Sequence, residues 1–415
     1  MKRDFFEREN PSNPALSALE KNSLPSLAVI SPYNYSNGLG QAGRGYAASL
    51  MHTNLKYSLH PIKRPFHVHT RKCPDWGIEQ SPCAPDVAII HINPDAWSGL
   101  LSDNDARLIS SSRRRIGLFV WELSKLPGFW LEGLNSVDAI IAPSEYCATI
   151  FRMHTTVPVY VVPHPVPVPP PDSMHDMDSV ESARALRKKC SIPDNCRIIL
   201  YVFDGSSFLA RKNPFSLIRA FKQSSLRLEG WHLALKTKHV FDVPETGQSL
   251  LSAIDGDPSI SLLNLDLSDR ELETLFQLAE MYVSPHCSEG FGLTIAEAMA
   301  RGKLVVATDF GGSRDFLDKS CGYPVEYEMV TLQENYGPYQ MGGQWAMINE
   351  SALVCAMRAA AKEADCKDRF GEPSIASRAR ARIAEKLSYA SVGSKLETIV
   401  KIVHSAPQYS DRTGF

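Results

Sequence analysis

The stretch from Glu280 to Asp309 constrains this chain most, because it admits one supersecondary unit. Glu280-Met281-Tyr282-Val283-Ser284 is a short apolar run ended by Pro285, the pattern of a buried strand. Leu293 to Arg301 carries Leu293, Ile295, Ala296, Ala298, Met299 and Ala300, good helix formers, until Gly302 stops it. Lys303 to Asp309 is the next buried strand. The result is a β-loop-α-β unit whose loop lies at the carboxyl end of a parallel strand, where open α/β sheets bind ligands. Gly290 and Gly292 allow close backbone approach, and the helix start at Phe291-Gly292-Leu293 offers free N–H groups to a phosphate. Glu289 sits in the loop and Glu297 a turn into the helix. Carboxylates suit sugar hydroxyls, which donate hydrogen bonds to them, better than they suit phosphate itself.

The rest of the chain repeats this alternation. Strands are expected at Ser26–Ser31, Asp86–Ile92, Arg115–Val120, Ala139–Ala142 and Val159–Val162, and again at Cys196–Phe203, Trp231–Lys236 and Ser259–Asn264. With 415 residues, two α/β domains with mostly parallel sheets follow. Pro163 to Asp172 holds six prolines and reads as a stiff linker. The expected division is an extension over 1–25, a Rossmann-like domain over 26–168, a linker over 169–195, a second Rossmann-like domain over 196–388, and a helix with a tail over 389–415.

A net charge of -2 gives no argument for a nucleic-acid partner. Nine cysteines scattered singly, without a C-x-x-C, indicate neither a disulfide framework nor a zinc site, and fit a reduced cytoplasmic protein. No apolar run approaches spanning length, so any membrane contact is peripheral. Short basic runs at His67–Lys72 and Arg113–Arg115 are solvated faces or contacts to an anionic surface. No D-x-D flanked by strands occurs, so neither a metal nor another cofactor is implied.

Five further loops end strands. Phe203 to Pro214 follows the first strand of the second domain and precedes a helix, a position that suits a diphosphate. Arg211 and Lys212 supply counter-charge there, with Ser206 and Ser207 as loop donors, and Lys236 faces the same cleft; a basic pair capping a surface loop is the alternative. Gly38-Leu39-Gly40 closes a turn-rich loop before a helix expected from about Gln41 to Met51, where Arg44 reads equally as ligand contact or solvated residue. Glu122, after the expected Arg115–Val120 strand, binds hydroxyls or caps the following segment. His91 to Asp95 and Pro143-Ser144-Glu145 end strands on the same side.

The Glu289 to Glu297 segment resembles the E-x7-E motif of the retaining, nucleotide-sugar-dependent glycosyltransferases of family 4, with the GT-B architecture of two Rossmann-like domains facing each other across a cleft. The resemblance implies that Glu289 contacts the transferred sugar and Glu297 the ribose hydroxyls. It also implies that Gly38 and Gly40 approach the donor phosphate and that the last helix, from Tyr389, crosses back to the first domain. Phe203-Asp204 stands where the family often has Gly-Arg, and Arg211-Lys212-Asn213-Pro214 where it has Lys-Gly. Lys212 takes the lysine role, and the arginine role moves to Arg211. Pro163-His164-Pro165 matches the interdomain hinge, with His164 structural. Trp121-Glu122-Leu123 resembles a segment of mannosyltransferases, which favours GDP-mannose as donor with a UDP-sugar as the alternative. The implied acceptor is a glycan or lipid-linked hydroxyl, as in polysaccharide or glycolipid synthesis. Another GT-B enzyme, such as an epimerase or phosphorylase, and a non-catalytic sugar-nucleotide-binding subunit are the rival readings.

Overall fold

The computed structural model describes residues 24–63, 84–170, 177–365 and 374–407. The expected extension up to residue 23, the His67–Lys72 run, Pro171 and Asp172, Cys73, Cys83, Cys366 and the tail beyond 407 lie outside the described residues.

The apolar runs form two six-stranded parallel sheets among the described residues. The first contains β1 (Ser26–Ser31), β2 (Lys56–Pro61), β3 (Val87–Ile90), β4 (Arg114–Leu118), β5 (Ala139–Ala142) and β6 (Val159–Val161), in the order β2-β1-β3-β4-β5-β6. The second contains β7 (Arg197–Val202), β8 (Trp231–Thr237), β9 (Ile260–Asn264), β10 (Ala279–Ser284), β11 (Leu304–Thr308) and β12 (Tyr323–Val325), in the order β12-β11-β10-β7-β8-β9. The central strands are buried on both faces, as continuous apolar runs require. The helices that position the cleft are α1 (Gly38–Leu50), α2 (Glu145–Arg152), α3 (Leu209–Lys212), α4 (Pro214–Ser224), α5 (Leu293–Ala300) and α6 (Tyr389–Ser405).

Five elements differ from the sequence reading. Helix α1 starts at Gly38 rather than near Gln41, because the Asn37 side chain caps it by accepting from the Gly40 N–H at 3.0 Å. Gly38 and Gly40 therefore belong to the first helical turn, and a Cβ on Gly40 would stand 2.0 Å from the Tyr35 carbonyl oxygen. Strands β2 and β12 were not foreseen. Both are edges, and edge strands need no continuous apolar run. An antiparallel hairpin, β13 (Tyr327–Thr331) and β14 (Gln344–Ile348), was also missed, and it stands outside both sheets.

Helix α6 packs on α1. Its Val392, Leu396, Val400 and Val403 join the core formed by Leu27, Val29, Tyr46 and Leu50 of the first domain. The two helix backbones meet at Gly393, where a Cβ would lie 2.4 Å from the Ser49 carbonyl oxygen. Glycine to alanine normally favours an exposed helix interior by about 1 kcal/mol. Here Gly393→Ala should instead destabilise the fold by about 1–3 kcal/mol, as overpacking does. Urea unfolding measures it, and a midpoint equal to or above wild type would contradict this packing.

Candidate functional site

In the second sheet the strand order reverses between β7 and β10, so their carboxyl-end loops diverge and leave a crevice. The first domain covers it, enclosing a cleft of about 1010 Å³. Ser36, Asn37, Gly38, Arg44, Glu122 and His164 line it from the first domain. Asp204, Ser207, Arg211, Lys212, Lys236 and Lys238 line it from the second, together with Glu289 to Thr294 and Glu297.

The loop after β10 owes its path to glycines. Gly292 adopts φ +89° and caps α5, a conformation that favours glycine. The space opened at Gly290 is taken by the first domain, because a Cβ there would lie 2.7 Å from Val120 Cγ1 and 3.0 Å from the Trp121 carbonyl oxygen. Ser144, at the start of α2, donates to the Gly290 carbonyl at 2.5 Å, so Pro143-Ser144-Glu145 forms an interdomain contact. Gly311-Gly312 lies beneath the loop, and the Gly312 N–H donates to the Glu289 carbonyl at 2.8 Å. That pair was missed, and its signal was a Gly-Gly shortly after a buried strand.

The loop after β7 carries the cations on the single turn α3. Asn213, at φ +51°, ends that turn and caps α4. Arg211 is buried. Its Nη1 donates to the Ser288 carbonyl at 2.9 Å and lies 3.4 Å from Glu289 Oε2, while its Nη2 lies 3.9 Å from Glu122 Oε1. Lys212 Nζ is ion-paired with Glu289 Oε1. Burial opposes ionisation of Glu289, yet Lys212, Arg211 and His286 pull its carboxyl down to about 2. Burial pushes the Lys212 ammonium down, helped by Arg211 and opposed by Glu289. Glu289 thus meets two cations, Arg211 and Lys212.

Other expected site residues are spread along the cleft. Glu297 is buried on α5 and lines the cleft with Arg301 and Tyr389. Phe291 packs edge-on against the His164 ring at 4.9 Å, and His164 Nδ1 pairs with the Tyr46 hydroxyl at 3.1 Å. His91 is buried against Ser31 instead, 2.9 Å from its hydroxyl. Arg44 holds the loop before α1 by donating to the Tyr33 and Tyr35 carbonyls at 2.7 and 2.8 Å.

Asp204 organises its own loop. It accepts from the Ser206 N–H and hydroxyl at 3.0 and 2.8 Å, and its carbonyl accepts from the Ser207 N–H at 3.1 Å. Both serine amides are thereby engaged. Lys238, unremarked in the sequence, pairs with Asp204 at 3.7 Å and donates across the cleft to the Ser36 carbonyl. Lys236 donates to the Thr237 carbonyl at 2.9 Å, and burial with the neighbouring Lys238 lowers its ammonium to about 8. Among the described residues, no group of three or more His, Cys, Asp or Glu side chains could hold a metal ion. No described helix is long and apolar enough to cross a membrane.

Residues 199–331 match the family model Glycosyl transferases group 1. The lipopolysaccharide 1,2-N-acetylglucosaminetransferase of Salmonella typhimurium is 24% identical over 251 residues, 59% of this chain and 54% of that protein. The chain therefore spans about half the length of that curated relative. Two solved structures cover most of the chain. A glycosyltransferase from Rickettsia africae ESF-5 has TM-score 0.63 at 16% identity, covering 93% of this chain and 100% of its own. Anabaena Alr3699/HepE in complex with UDP and glucose has TM-score 0.59 at 13% identity, covering 91% and 100%. These likenesses show the fold, which is GT-B.

The charge cluster makes stability depend on acid. The folded value for Glu289 lies below its ordinary 4.5, so its contribution is complete above that pH and is lost as pH falls towards about 2. The shift corresponds to a few kcal/mol, on the order of 3. Glu289→Gln should be less stable than wild type at pH 7, and its stability should fall less steeply between about pH 5 and 2. Urea titrations across that range check this, and parallel acid limbs would contradict the pairing.

Proposed function

We propose that this chain is a retaining glycosyltransferase that moves a hexose from a nucleoside-diphospho-sugar to an acceptor hydroxyl of a glycan or lipid-linked glycan. The observation that carries the reading is the junction of Glu289 with Lys212 and Arg211 at the strand-order reversal, in the same cleft as Glu297. The diphosphate sits at the start of α5, where helix N–H groups are unpaired within the helix, and Lys212 turns from Glu289 to the β-phosphate. Freed of that partner, Glu289 accepts hydrogen bonds from the sugar hydroxyls. Glu297 accepts from the ribose. Breaking the bond between anomeric carbon and phosphate oxygen leaves a dianionic phosphate, and preorganised cations lower the barrier by stabilising that charge. In front-face transfer the acceptor oxygen bonds to the anomeric carbon on the side the phosphate leaves, retaining configuration, while the departing phosphate oxygen takes the acceptor's proton, so no separate base is required. The cations present supply the charge that a divalent metal would otherwise supply, so transfer is metal-independent.

The Trp121-Glu122-Leu123 resemblance favours GDP-mannose as donor. The UDP and glucose bound by HepE, a protein of like fold, favour a UDP-hexose instead. A catalytically silent sugar-nucleotide-binding subunit is the second reading, and Phe203-Asp204 in the place of the family's Gly-Arg is the feature that favours it.

A panel of UDP-, GDP- and ADP-sugars, assayed for nucleoside diphosphate release and anomeric configuration of the product with and without excess EDTA, tests the reading. Release with a retained product, unaffected by EDTA, is expected for one donor class. Binding without release favours the silent subunit, and loss in EDTA restored by Mg²⁺ or Mn²⁺ refutes metal independence. With the preferred donor, Glu297→Ala should weaken nucleoside diphosphate binding by about 10- to 100-fold, the worth of a hydrogen bond to a charged group. Wild-type affinity in that variant would contradict the ribose assignment.

A further inference from the structure

We infer that the tip of the β13–β14 hairpin belongs to the transfer machinery, with Tyr339 a positioning residue that holds Glu122 of the first domain and Arg211 of the second in register. The inference rests on the proposed sugar transfer and goes beyond the residues named for it. The segment joining the two hairpin strands is folded back on itself. Tyr336 and Tyr339 exchange backbone hydrogen bonds at 2.9 and 3.0 Å, and Leu332 exchanges them with Gly342 and Gly343 at 2.9 and 2.8 Å. Its turn is fitted to the cationic loop. Gly337 adopts φ +57°, and a Cβ there would stand 1.9 Å from the Phe208 ring. Phe208 itself adopts φ +59° directly before the turn that carries Arg211 and Lys212.

The hairpin is also fixed to the first domain. The Gln344 N–H donates to the Ser124 hydroxyl at 3.1 Å, and Lys125 donates to the Met341 carbonyl at 3.4 Å. Leu332, Tyr339 and Trp345 are packed in one apolar cluster with Trp121, Leu123 and Trp130. Tyr339, 4% exposed, is therefore held from both sides. Its ring lies 5.6 Å from Trp121 and 5.4 Å from Phe208, with the Arg211 guanidinium 5.8 Å from its centroid.

Its hydroxyl donates to Glu122 Oε2 at 3.3 Å, while Arg211 Nη2 lies 3.9 Å from Glu122 Oε1. The phenol thus occupies one carboxylate oxygen and fixes the rotation of the group. Without it, Glu122 is free to turn fully onto Arg211, competing with the bonds that Arg211 makes to Ser288 and Glu289. The effect of Tyr339 therefore passes through two charged side chains to the loop that faces the donor sugar. Glu122 and Arg211 line the cleft, and Tyr339 stands behind them.

Tyr339→Phe removes the hydroxyl and keeps the packing. Its kcat for sugar transfer should fall about tenfold, the worth of one hydrogen bond to a carboxylate, with nucleoside diphosphate affinity unchanged. Because the effect passes through Glu122, Tyr339→Phe combined with Glu122→Gln should be no slower than Glu122→Gln alone. Hydrogen exchange over residues 286–292 in the ligand-free protein, a readout independent of turnover, should be faster in Tyr339→Phe than in wild type. Wild-type kcat in the single variant, multiplicative losses in the double, or unchanged exchange over 286–292 would each overturn the inference. A wild-type protein that transfers no sugar from any donor refutes the proposed function alone, and the exchange comparison then decides the role of Tyr339.

Discussion

The cleft depends on one buried charge. Arg211 is 5% exposed at its side chain, and a guanidinium taken so far out of water is tolerated only where carboxylates and carbonyl oxygens surround it. Its carboxylates come from opposite domains, Glu122 from the loop after β4 and Glu289 from the loop after β10. Ser288 and Glu289 offset part of the cost of desolvating Arg211 from within its own domain, and Glu122 adds to that only when the two domains face each other. Burial, charge pairing and domain geometry are the same constraint here.

The contacts around that pair extend it. Ser288 and Tyr146 both donate to the Glu122 carbonyl, the latter at 2.7 Å, and Ser144 donates to Gly290. Cys147 reaches the carbonyls of Trp121 and Gly290 at 3.0 and 3.2 Å. Because Gly290 has no side chain, the first-domain backbone can approach the donor loop this closely. Opening the cleft would break these bonds and draw Tyr339 and Trp345 out of the cluster they share with the first domain. Lys238 forms a second link at the other side of the cleft, by donating to Ser36. The two domains are therefore held closed on each other, and the cleft is preorganised.

The alternation of strand and helix was legible in the sequence wherever a strand is buried on both faces, as at β3, β5 and β11, because burial on both faces forces a continuous apolar run. The loop at Glu289 to Gly292 was legible for a related reason: its turn needs glycine in a left-handed conformation at one position and an absent side chain at another. The hairpin was not legible. Glu328, Gln333, Glu334 and Asn335 give it a polar look, and Trp345 shares its apolar cluster with residues more than 200 positions earlier in the chain, a partnership that no local period records. Lys238 escaped notice likewise, since its meaning comes from Ser36 in the other domain. The sequence reading took Ser206 and Ser207 for phosphate donors, whereas Asp204 engages both of their amides. Only the folded loop reveals that competition.

Lys212 and Glu289 are ion-paired, so a diphosphate that takes Lys212 must part them. A carboxylate so close to the phosphate site also repels the incoming anion. Calorimetric titration of Glu289→Gln with UDP, or with GDP should the donor panel favour it, tests this most directly. The account predicts nucleoside diphosphate binding several-fold tighter than wild type, because Lys212 is released and a negative charge is gone, alongside a fall in turnover. Binding weakened to the level of Lys212→Ala would contradict it, and would mean that Glu289 serves to hold the lysine in place for the phosphate.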